Sequence, residues 1–345
     1  MRDSVKILVT GGTGFIGRNL VPELVREGYD VTVLSREDQF LKSPKEIFGT
    51  DKNVTIVVGD LRSRQTIREV LREGFDGVIH MAARAPVRLS WSESYDFFDV
   101  NFLGTVNLVR EMLELHNPRP WLLYYSTAEV IPGCEMTEDD KPNPSSPYAY
   151  SKYAAELYVR THYGGWTIVR PCNTFDRSSL ADVEEARGYF VEKAILQAIE
   201  CVKGFRKKIF FDGLPDRIRS WMHVSDHVKA IKILLKKSVG DKRIYHIAPL
   251  NSAASCQTVF NYVAKIAGLP SDVNVEWNAS PRPFDPPEIT LSGRRFIELA
   301  KGDWMPMSLY EGLREAYRNW LKRFELREPV KSFEDRLRRY DSCKG

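Results

Sequence analysis

Short apolar runs alternate along the first half of the chain with longer stretches whose apolar residues recur at helical spacing. Runs rich in β-branched and aromatic residues predict strands at 6–10, 31–35, 54–60, 77–82, 121–128 and 167–171. The stretches 15–28, 95–116 and 148–163 have the periodicity of helices. This alternation predicts an α/β fold with a Rossmann-type doubly wound parallel sheet. The uninterrupted apolar strands fit a sheet that helices cover on both faces.

The pattern changes after about residue 172. A helical stretch at 188–203 is followed by mixed segments over 205–250, a proline-rich segment at 278–287 and a helical stretch at 308–322. We predict a Rossmann domain over 1–172, to which segments of 205–250 return, and a smaller C-terminal α/β lobe over 173–322. The proline-rich segment predicts a loop or an extended excursion. The highly charged residues 323–345 are interpreted as an appended surface helix or a mobile tail.

Composition narrows the class of protein. Hydrophobic residues make up 43% of the 345 residues, which is ordinary for a soluble globular protein. A net charge of +4, with Lys and Arg dispersed, argues against nucleic acid as a partner. No apolar run approaches the roughly 20 residues of a membrane span, and no early segment resembles a signal peptide. Five widely spaced cysteines without a CxxC motif predict a reduced, cytoplasmic protein with no metal site.

A glycine-rich loop joins the first predicted strand to the first predicted helix. Its glycines, Gly11, Gly14 and Gly17, have the spacing G-x-x-G-x-x-G. The first permits a tight turn, the second lets the backbone approach a pyrophosphate, and the third lets the helix pack on the strand. A bound phosphate would then meet free N–H groups at the start of the helix. Because the loop lies between a strand and a helix, a dinucleotide site is favoured over a turn without a ligand.

The next two strands end in residues that bear on the choice of dinucleotide. Enzymes that prefer NAD often carry an acid after the second strand, whereas this chain has Ser35 and Arg36. The Arg36 guanidinium suits a ribose 2′-phosphate, which favours NADP slightly over NAD. The alternative is a solvated arginine next to the acidic side chains of residues 37 and 38. Asp60 either accepts a hydrogen bond from an adenine amino group or only caps its strand.

Polar residues at one strand end precede a tyrosine–lysine pair. Ser126, Thr127 and Glu129 follow the strand at 121–128, and Tyr148 and Lys152 share one face of the next predicted helix. We expect the Lys152 ammonium to lower the pKa of Tyr148, which would make it a proton acceptor near neutral pH. Thr127 would donate a hydrogen bond to the substrate oxygen while a nicotinamide accepts or returns hydride. Such a pair is otherwise typical of a surface helix, and the glycine loop favours the catalytic interpretation.

Taken together, these motifs resemble the extended short-chain dehydrogenase/reductase family, in its NAD(P)-dependent nucleotide-sugar epimerase/dehydratase branch. The similarity extends over nearly the whole chain and includes "TGGTGFIG", "GDLR", "HMAA", "NFLGT", "STAEV", "YAYSK", "RPCNTF", "RSWMHVSD" and "SPRPFD" in the family's order. The resemblance implies catalytic roles for Thr127, Tyr148, Lys152 and Glu129. It implies further cofactor contacts by Phe15, Ile16, Leu61, Ala82, Ala83 and Asn101, and a hydrogen bond from Lys152 to the nicotinamide ribose. It implies substrate contacts by Arg84, Ser126, Asn173, Arg219 and Arg282, with both of the last two near the diphosphate.

The segment "STAEV" lies between the patterns of two subfamilies. Family dehydratases pair an acid with Glu129, but this chain has Ala128 beside it, as many 4-epimerases do. We therefore predict a 4-epimerase acting through a 4-keto sugar. The alternatives are a 4,6-dehydratase or decarboxylase, an NADPH-dependent keto-sugar reductase, and a non-catalytic module that senses the dinucleotide. The resemblance also implies a homodimer that is formed through the helices at 95–116 and 148–163.

Overall fold

Seven parallel strands form the larger of the sheets in this computed structural model, which describes residues 4–36, 43–114, 119–180, 183–278 and 282–325. The strands are β1 (Lys6–Thr10), β2 (Asp30–Ser35), β3 (Val54–Val58), β4 (Gly77–His80), β5 (Trp121–Tyr125), β7 (Trp166–Pro171) and β11 (Ile244–Ile247). Their spatial order is β11-β7-β5-β4-β1-β2-β3. All six neighbouring pairs are parallel. The chain therefore winds outward from β1 in both directions, and the predicted Rossmann-type fold is confirmed.

Helices cover both faces of this sheet because successive strand residues point to opposite sides. They are α1 (Phe15–Arg26), α2 (Pro44–Phe48), α3 (Arg64–Leu71), α4 (Ser94–Phe97), α5 (Gly104–Glu114), α6 (Pro147–His162) and α9 (Val224–Lys237). In β1, Ile7 and Val9 belong to a core cluster with residues of α1 and α9. Leu8, which lies between them, belongs to a second cluster with residues of α3, α5 and α6. The apolar strand is thus buried on both faces, as its composition predicts.

A second lobe follows β7 and carries its own sheets. One sheet has the order β12 (Ala253–Ser255), β10 (Ile218–His223), β14 (Glu288–Leu291) and β6 (Gly133–Met136), and β8 (Asn173–Phe175) also pairs with β10. A two-stranded sheet joins β9 (Lys208–Asp212) to β13 (Asn274–Asn278). The helices are α7 (Val183–Arg187), α8 (Phe190–Val202), α10 (Cys256–Ala267), α11 (Arg294–Ala300) and α12 (Leu309–Glu325). A third cluster of buried residues, from α8, α10 and α12 among others, forms the core of this lobe.

The predicted elements of the first half are present, but some end earlier than the pattern suggests. The predicted helix at 95–116 consists of α4, a π-helical turn over Phe98–Leu103, and α5. The turn carries Asn101, whose side chain bonds the backbone of Arg84 and the Ser151 hydroxyl. Those are tertiary contacts that helical periodicity does not encode. In the proline-rich segment, β13 includes residue 278, residues 279–281 lie outside the described residues, and 282–287 form no regular element.

Two further expectations concern the ends of elements and the membrane. Residues 326–345 of the predicted tail lie outside the described residues, whereas 323–325 continue α12. No helix within the described ranges is long and apolar enough to cross a membrane.

Candidate active site

A single cleft of about 2350 Å³ runs along the carboxyl ends of the main-sheet strands and into the second lobe. A drug-sized ligand needs roughly 300–1,000 Å³, so the cleft can hold a dinucleotide and a second ligand together. Of the residues predicted for the site, the cleft is lined by Gly11, Gly14, Phe15, Ile16, Gly17, Ser35, Arg36, Asp60, Leu61, Ala82, Ala83, Arg84, Ser126, Thr127, Glu129, Tyr148, Lys152, Asn173, Arg219 and Arg282. Asn101 is the one predicted residue outside this lining.

The glycine loop leaves no room for a side chain at Gly11 or at Gly17. Gly11 has a φ of +72°, and a Cβ there would lie 2.7 Å from the backbone of Ala82. A Cβ on Gly17 would lie 2.3 Å from the carbonyl oxygen of Gly12. Gly14 supplies no side-chain cap to α1. The first N–H groups of α1 therefore face the cleft without a capping oxygen, which fits a dinucleotide pyrophosphate.

The residues predicted to contact the adenosine of the dinucleotide follow β2 and β3 and also line the cleft. The Ser35 hydroxyl lies 2.7 Å from that of Thr13, so it braces the loop. Asp60 accepts hydrogen bonds from Arg62, at 2.8 Å from the backbone N–H and 2.7 Å from Nη2. These bonds from Arg62 hold the pKa of Asp60 below its usual value, and Arg36 contributes to the same effect. This end of the cleft is therefore rich in positive charge.

Tyr148 and Lys152 line the same cleft as the glycine loop. Helix α6 begins here because the Ser146 side chain accepts a hydrogen bond from Ala149 N–H and Pro147 occupies the first turn. Tyr148 and Lys152 are therefore one helical turn apart, and both are buried, at 9% and 2% exposure. The side chain of Thr127, which follows β5, hydrogen-bonds the Tyr148 hydroxyl. The structure thus brings the three residues together.

The expectation that Lys152 lowers the pKa of Tyr148 is wrong for this arrangement. Burial desolvates the phenolate and raises the pKa of Tyr148, and the hydrogen bond from Thr127 opposes this only in part. Arg177, which the sequence did not single out, is the cation that lowers it. The Lys152 ammonium instead lies 4.5 Å from the centroid of the Tyr124 ring. Sequence spacing places two side chains on one face, but it does not fix where their ends point.

Lys152 itself lies in an apolar environment next to a buried carboxylate. Burial lowers its pKa from 10.5 to about 7, while the charge of Glu156 raises it. Glu156 accepts hydrogen bonds from Arg170, at 3.1 Å from Nε and 2.5 Å from Nη2. The Ser126 hydroxyl also donates to Glu156, at 2.8 Å. Ser126, expected to contact substrate, therefore connects the site to a fully buried ion pair.

Two arginines predicted to contact the substrate, Arg219 and Arg282, meet at Asp285. Its Oδ1 lies 2.9 Å from Arg219 Nη2 and 3.2 Å from Arg282 Nη1. Arg282 Nη1 is also 3.9 Å from Glu129 Oε1. Burial lowers the pKa of Arg219, while Glu129 and Asp285 raise it. Asp285 was not singled out by the sequence reasoning, although the motif "SPRPFD" places it three residues after Arg282.

The remaining predicted residues border the cleft in different ways. Arg84 forms an ion pair with Glu93 and lies 5.4 Å from the Phe97 ring centroid, while its buried Nε has no partner. Asn173 is in β8, paired with Trp221 of β10. Asn101 does not line the cleft, and its side-chain amide forms hydrogen bonds with the backbone of Arg84. The structure therefore gives Asn101 a positioning contact, and a direct contact with the cofactor stays a prediction.

Sequence reasoning missed the aromatic lining of the second lobe. Phe190, Phe211, Trp221 and Trp277 line the cleft, and the Phe211 and Trp277 ring centroids are 4.6 Å apart. These residues come from four separate elements, so their spacing in the sequence does not indicate that they line one cleft. Within the described ranges no group of three or more His, Cys, Asp or Glu side chains is placed to hold a metal ion.

Comparison with known proteins gives a consistent result. The model of the NAD dependent epimerase/dehydratase family matches residues 7–248. A dTDP-glucose 4,6-dehydratase of Mycobacterium tuberculosis is 30% identical over 244 residues, covering 68% of this chain and 69% of that protein. A putative UDP-glucose 4-epimerase of Methanocaldococcus jannaschii is 26% identical over 329 residues, covering 92% and 98%. The structure of a dTDP-glucose 4,6-dehydratase from Bacillus anthracis with NAD superposes with a TM-score of 0.78 at 23% identity, covering 94% of this chain and 98% of that one.

Proposed function

This chain belongs to the NAD dependent epimerase/dehydratase family, and from that premise we propose that it is a nucleoside-diphosphate-sugar 4-epimerase. The observation that carries the proposal is that Tyr148, bonded to Thr127 and one turn from Lys152, lines the same cleft as the glycine loop. In our proposal the lobe of the main sheet holds the dinucleotide, and residues 173–322 mainly hold the sugar nucleotide.

The chain's own residues would manage the proton at the sugar O4. A bound nicotinamide supplies the acceptor and then the donor of hydride. Tyr148 would take the O4 proton as C4 is oxidised and return it when the 4-ketone is reduced from the opposite face. Only the phenolate can accept that proton, and Thr127 and Arg177 favour the phenolate against the effect of burial. Thr127 holds the phenol oxygen, and Lys152 binds the nicotinamide ribose through its ammonium. Arg219 and Arg282 are placed to hold the substrate diphosphate.

The residues beside Glu129 favour epimerisation over elimination of water. Eliminating water from a 4-keto sugar needs an acid and a base next to the reacting carbons, and the chain offers Glu129 there with Ala128 as its neighbour. Ala128 is buried and has no group that exchanges protons. The alternative is a 4,6-dehydratase or decarboxylase in which Glu129 alone moves the second proton. It is supported by the 30% identity to the Mycobacterium tuberculosis dehydratase.

The test is incubation of the purified protein with UDP-, dTDP-, GDP- and CDP-sugars, followed by chromatography and mass spectrometry. A product of unchanged mass and new retention time is expected, whereas loss of water or CO₂ would contradict the epimerase assignment. Net consumption of added NADPH would indicate the reductase alternative. Tyr148→Phe should abolish conversion. Tyr150→Phe is the matched control because Tyr150 lies on the same helix but is 53% exposed, and full activity of Tyr148→Phe would favour a non-catalytic module.

We propose a nicotinamide dinucleotide as cofactor, with NADP slightly favoured over NAD. Arg36 lines the cleft close enough to Asp60 to lower its pKa, so a 2′-phosphate would meet positive charge there. The Bacillus anthracis relative, by contrast, was solved with NAD. Mass spectrometry of the dinucleotide that co-purifies decides between them, and exclusive recovery of NAD would contradict the preference for NADP.

We also propose a cytoplasmic homodimer. Apolar side chains are exposed along α4, the π-helical turn and α6, namely Tyr95, Phe98, Leu103, Tyr150 and Leu157. A second copy placed against these helices would cover them. Light scattering at micromolar concentration tests the dimer, and a monomer mass would contradict it. The four cysteines in the described ranges are unpaired, which supports a reducing compartment.

A further inference from the structure

Arg177 holds its guanidinium between two aromatic rings in the cleft. Its Cζ lies 4.0 Å from the centroid of the Phe15 ring and 3.5 Å from that of the Tyr189 ring. Phe15 directly follows Gly14 and is the first residue of α1. Stacking on ring faces fixes the plane of a guanidinium but leaves the N–H groups on its edge available. Arg177 is therefore held next to the loop that fits a pyrophosphate.

One N–H group of this guanidinium, that of Nε, has no hydrogen-bond acceptor within the described part of the chain. The buried Nε atom makes no hydrogen bond, and the Oε1 atom of Glu192 lies 4.0 Å from it, beyond hydrogen-bonding reach. That oxygen instead accepts the backbone N–H groups of Asp176, at 3.0 Å, and Arg177, at 3.1 Å. A buried donor without an acceptor costs free energy, so its retention points to an acceptor that a ligand supplies.

The backbone before Arg177 is strained and held by buried polar contacts. Asp176 has a φ of +75°, in the left-handed region that side-chain-bearing residues rarely adopt. Its Oδ2 lies 3.0 Å from His223 Nε2 and 2.8 Å from Asn319 Nδ2. Such strain persists where surrounding contacts impose it, and it is enriched at functional sites. The position of Arg177 is thus set by these neighbours, and its ion-pair contact with Glu192 is a long one, at 4.0 Å.

Arg177 also acts on the proposed catalytic phenol. Its charge lowers the pKa of Tyr148, while the Tyr189 hydroxyl raises it. Both Arg177 and Tyr148 line the same cleft. The guanidinium therefore lies within electrostatic reach of the reacting centre as well as of the glycine loop.

We infer that Arg177 binds a diphosphate oxyanion in the cleft, between the start of α1 and the Tyr148 hydroxyl. A planar guanidinium edge matches two oxygens of a phosphate and gains strength from the opposite charge. The inference rests on the proposed function, which brings two diphosphates into the cleft, one from the dinucleotide and one from the sugar nucleotide. The chemistry is common to both, so the experiment separates the two sources.

Calorimetric titration of Arg177→Met and of the unmodified protein tests the inference. NAD⁺ and NADP⁺ are titrated first, and UDP and dTDP are then titrated into protein saturated with the dinucleotide that binds more tightly. Loss of a charge-assisted bond should raise one of these dissociation constants about tenfold or more. Arg26→Met is the matched control, because it removes an arginine from the exposed end of α1, where it pairs only with Glu23. It should leave all of these constants unchanged.

Each outcome decides the question. Weaker dinucleotide binding assigns Arg177 to the dinucleotide diphosphate, and weaker UDP or dTDP binding assigns it to the sugar nucleotide. Unchanged constants for all of these ligands overturn the inference but leave the proposed function standing. If the unmodified protein binds neither NAD⁺ nor NADP⁺, the proposed function fails first and the inference fails with it. Should Arg177→Met unfold, Arg177→Lys keeps the charge without the planar edge, and an unchanged constant in that variant also overturns the inference.

Discussion

The buried ammonium of Lys152 should reduce stability at neutral and acidic pH, and its removal should show this. Burial lowers the pKa of Lys152 from 10.5 to about 7 in the folded protein. Between these two pH values the unfolded chain binds more protons at this residue than the folded chain does. This group therefore makes the free energy of unfolding rise with pH from about 7 to 10.5, and its cost is fully present below pH 7. Lys152→Met removes the group and hence the dependence.

The magnitude follows from the two pKa values. Each pH unit between them corresponds to about 1.4 kcal/mol, so the full cost of the charge is at most about 5 kcal/mol at pH 6. Relaxation and the charge of Glu156, which raises the pKa of Lys152, reduce that figure. We expect Lys152→Met to be inactive, yet more stable than the unmodified protein by about 2–4 kcal/mol at pH 6. The gain should decline by up to about 1.4 kcal/mol per pH unit above pH 7.

The assay is urea unfolding at pH 6, 7, 8 and 9, followed by circular dichroism, on protein stripped of dinucleotide. The quantity compared is the difference in unfolding free energy between variant and unmodified protein, because other titrating groups cancel in it. Lys208→Met is the control, since Lys208 pairs at the surface with Glu276 and the two side chains are 45% and 50% exposed. A difference for Lys152→Met that stays constant from pH 6 to 9 would refute the desolvation argument, whatever its absolute size.

Two further substitutions test other parts of the site. Glu156→Gln removes the charge that raises the pKa of Lys152. The alkaline limb of the pH profile of kcat/KM should therefore move to lower pH. An unmoved limb would show that Lys152 need not be charged for activity. Gly11→Ala places a Cβ 2.7 Å from the backbone of Ala82 and should weaken dinucleotide binding by at least tenfold and stability by about 1–3 kcal/mol. Gly28→Ala is the control, because Gly28 also has a positive φ, +91°, but a Cβ there would meet nothing within 4 Å. Equal dinucleotide binding by the two variants would contradict the steric reasoning.

The main sheet could be read from the sequence because its signals are local. The runs that became β1 and β5 are buried on both faces, and burial requires the uninterrupted apolar composition that marks them. The glycines at 11, 14 and 17 are set by the geometry of one turn. Ser146 and Pro147 start α6 through contacts within four residues, so the shared face of Tyr148 and Lys152 followed from helical spacing.

Directions and partners of side chains were decided only by the tertiary structure. The Lys152 ammonium packs on Tyr124, and the cation that acts on Tyr148 is Arg177, 29 residues along the chain. Asn101 bonds the backbone of Arg84 because a π-helical turn places it there. These outcomes depend on contacts between segments distant in sequence and on how far each group is removed from water. Local periodicity predicts which face of a strand or helix is buried. It does not predict which distant segments meet or how completely an individual charged group is removed from water.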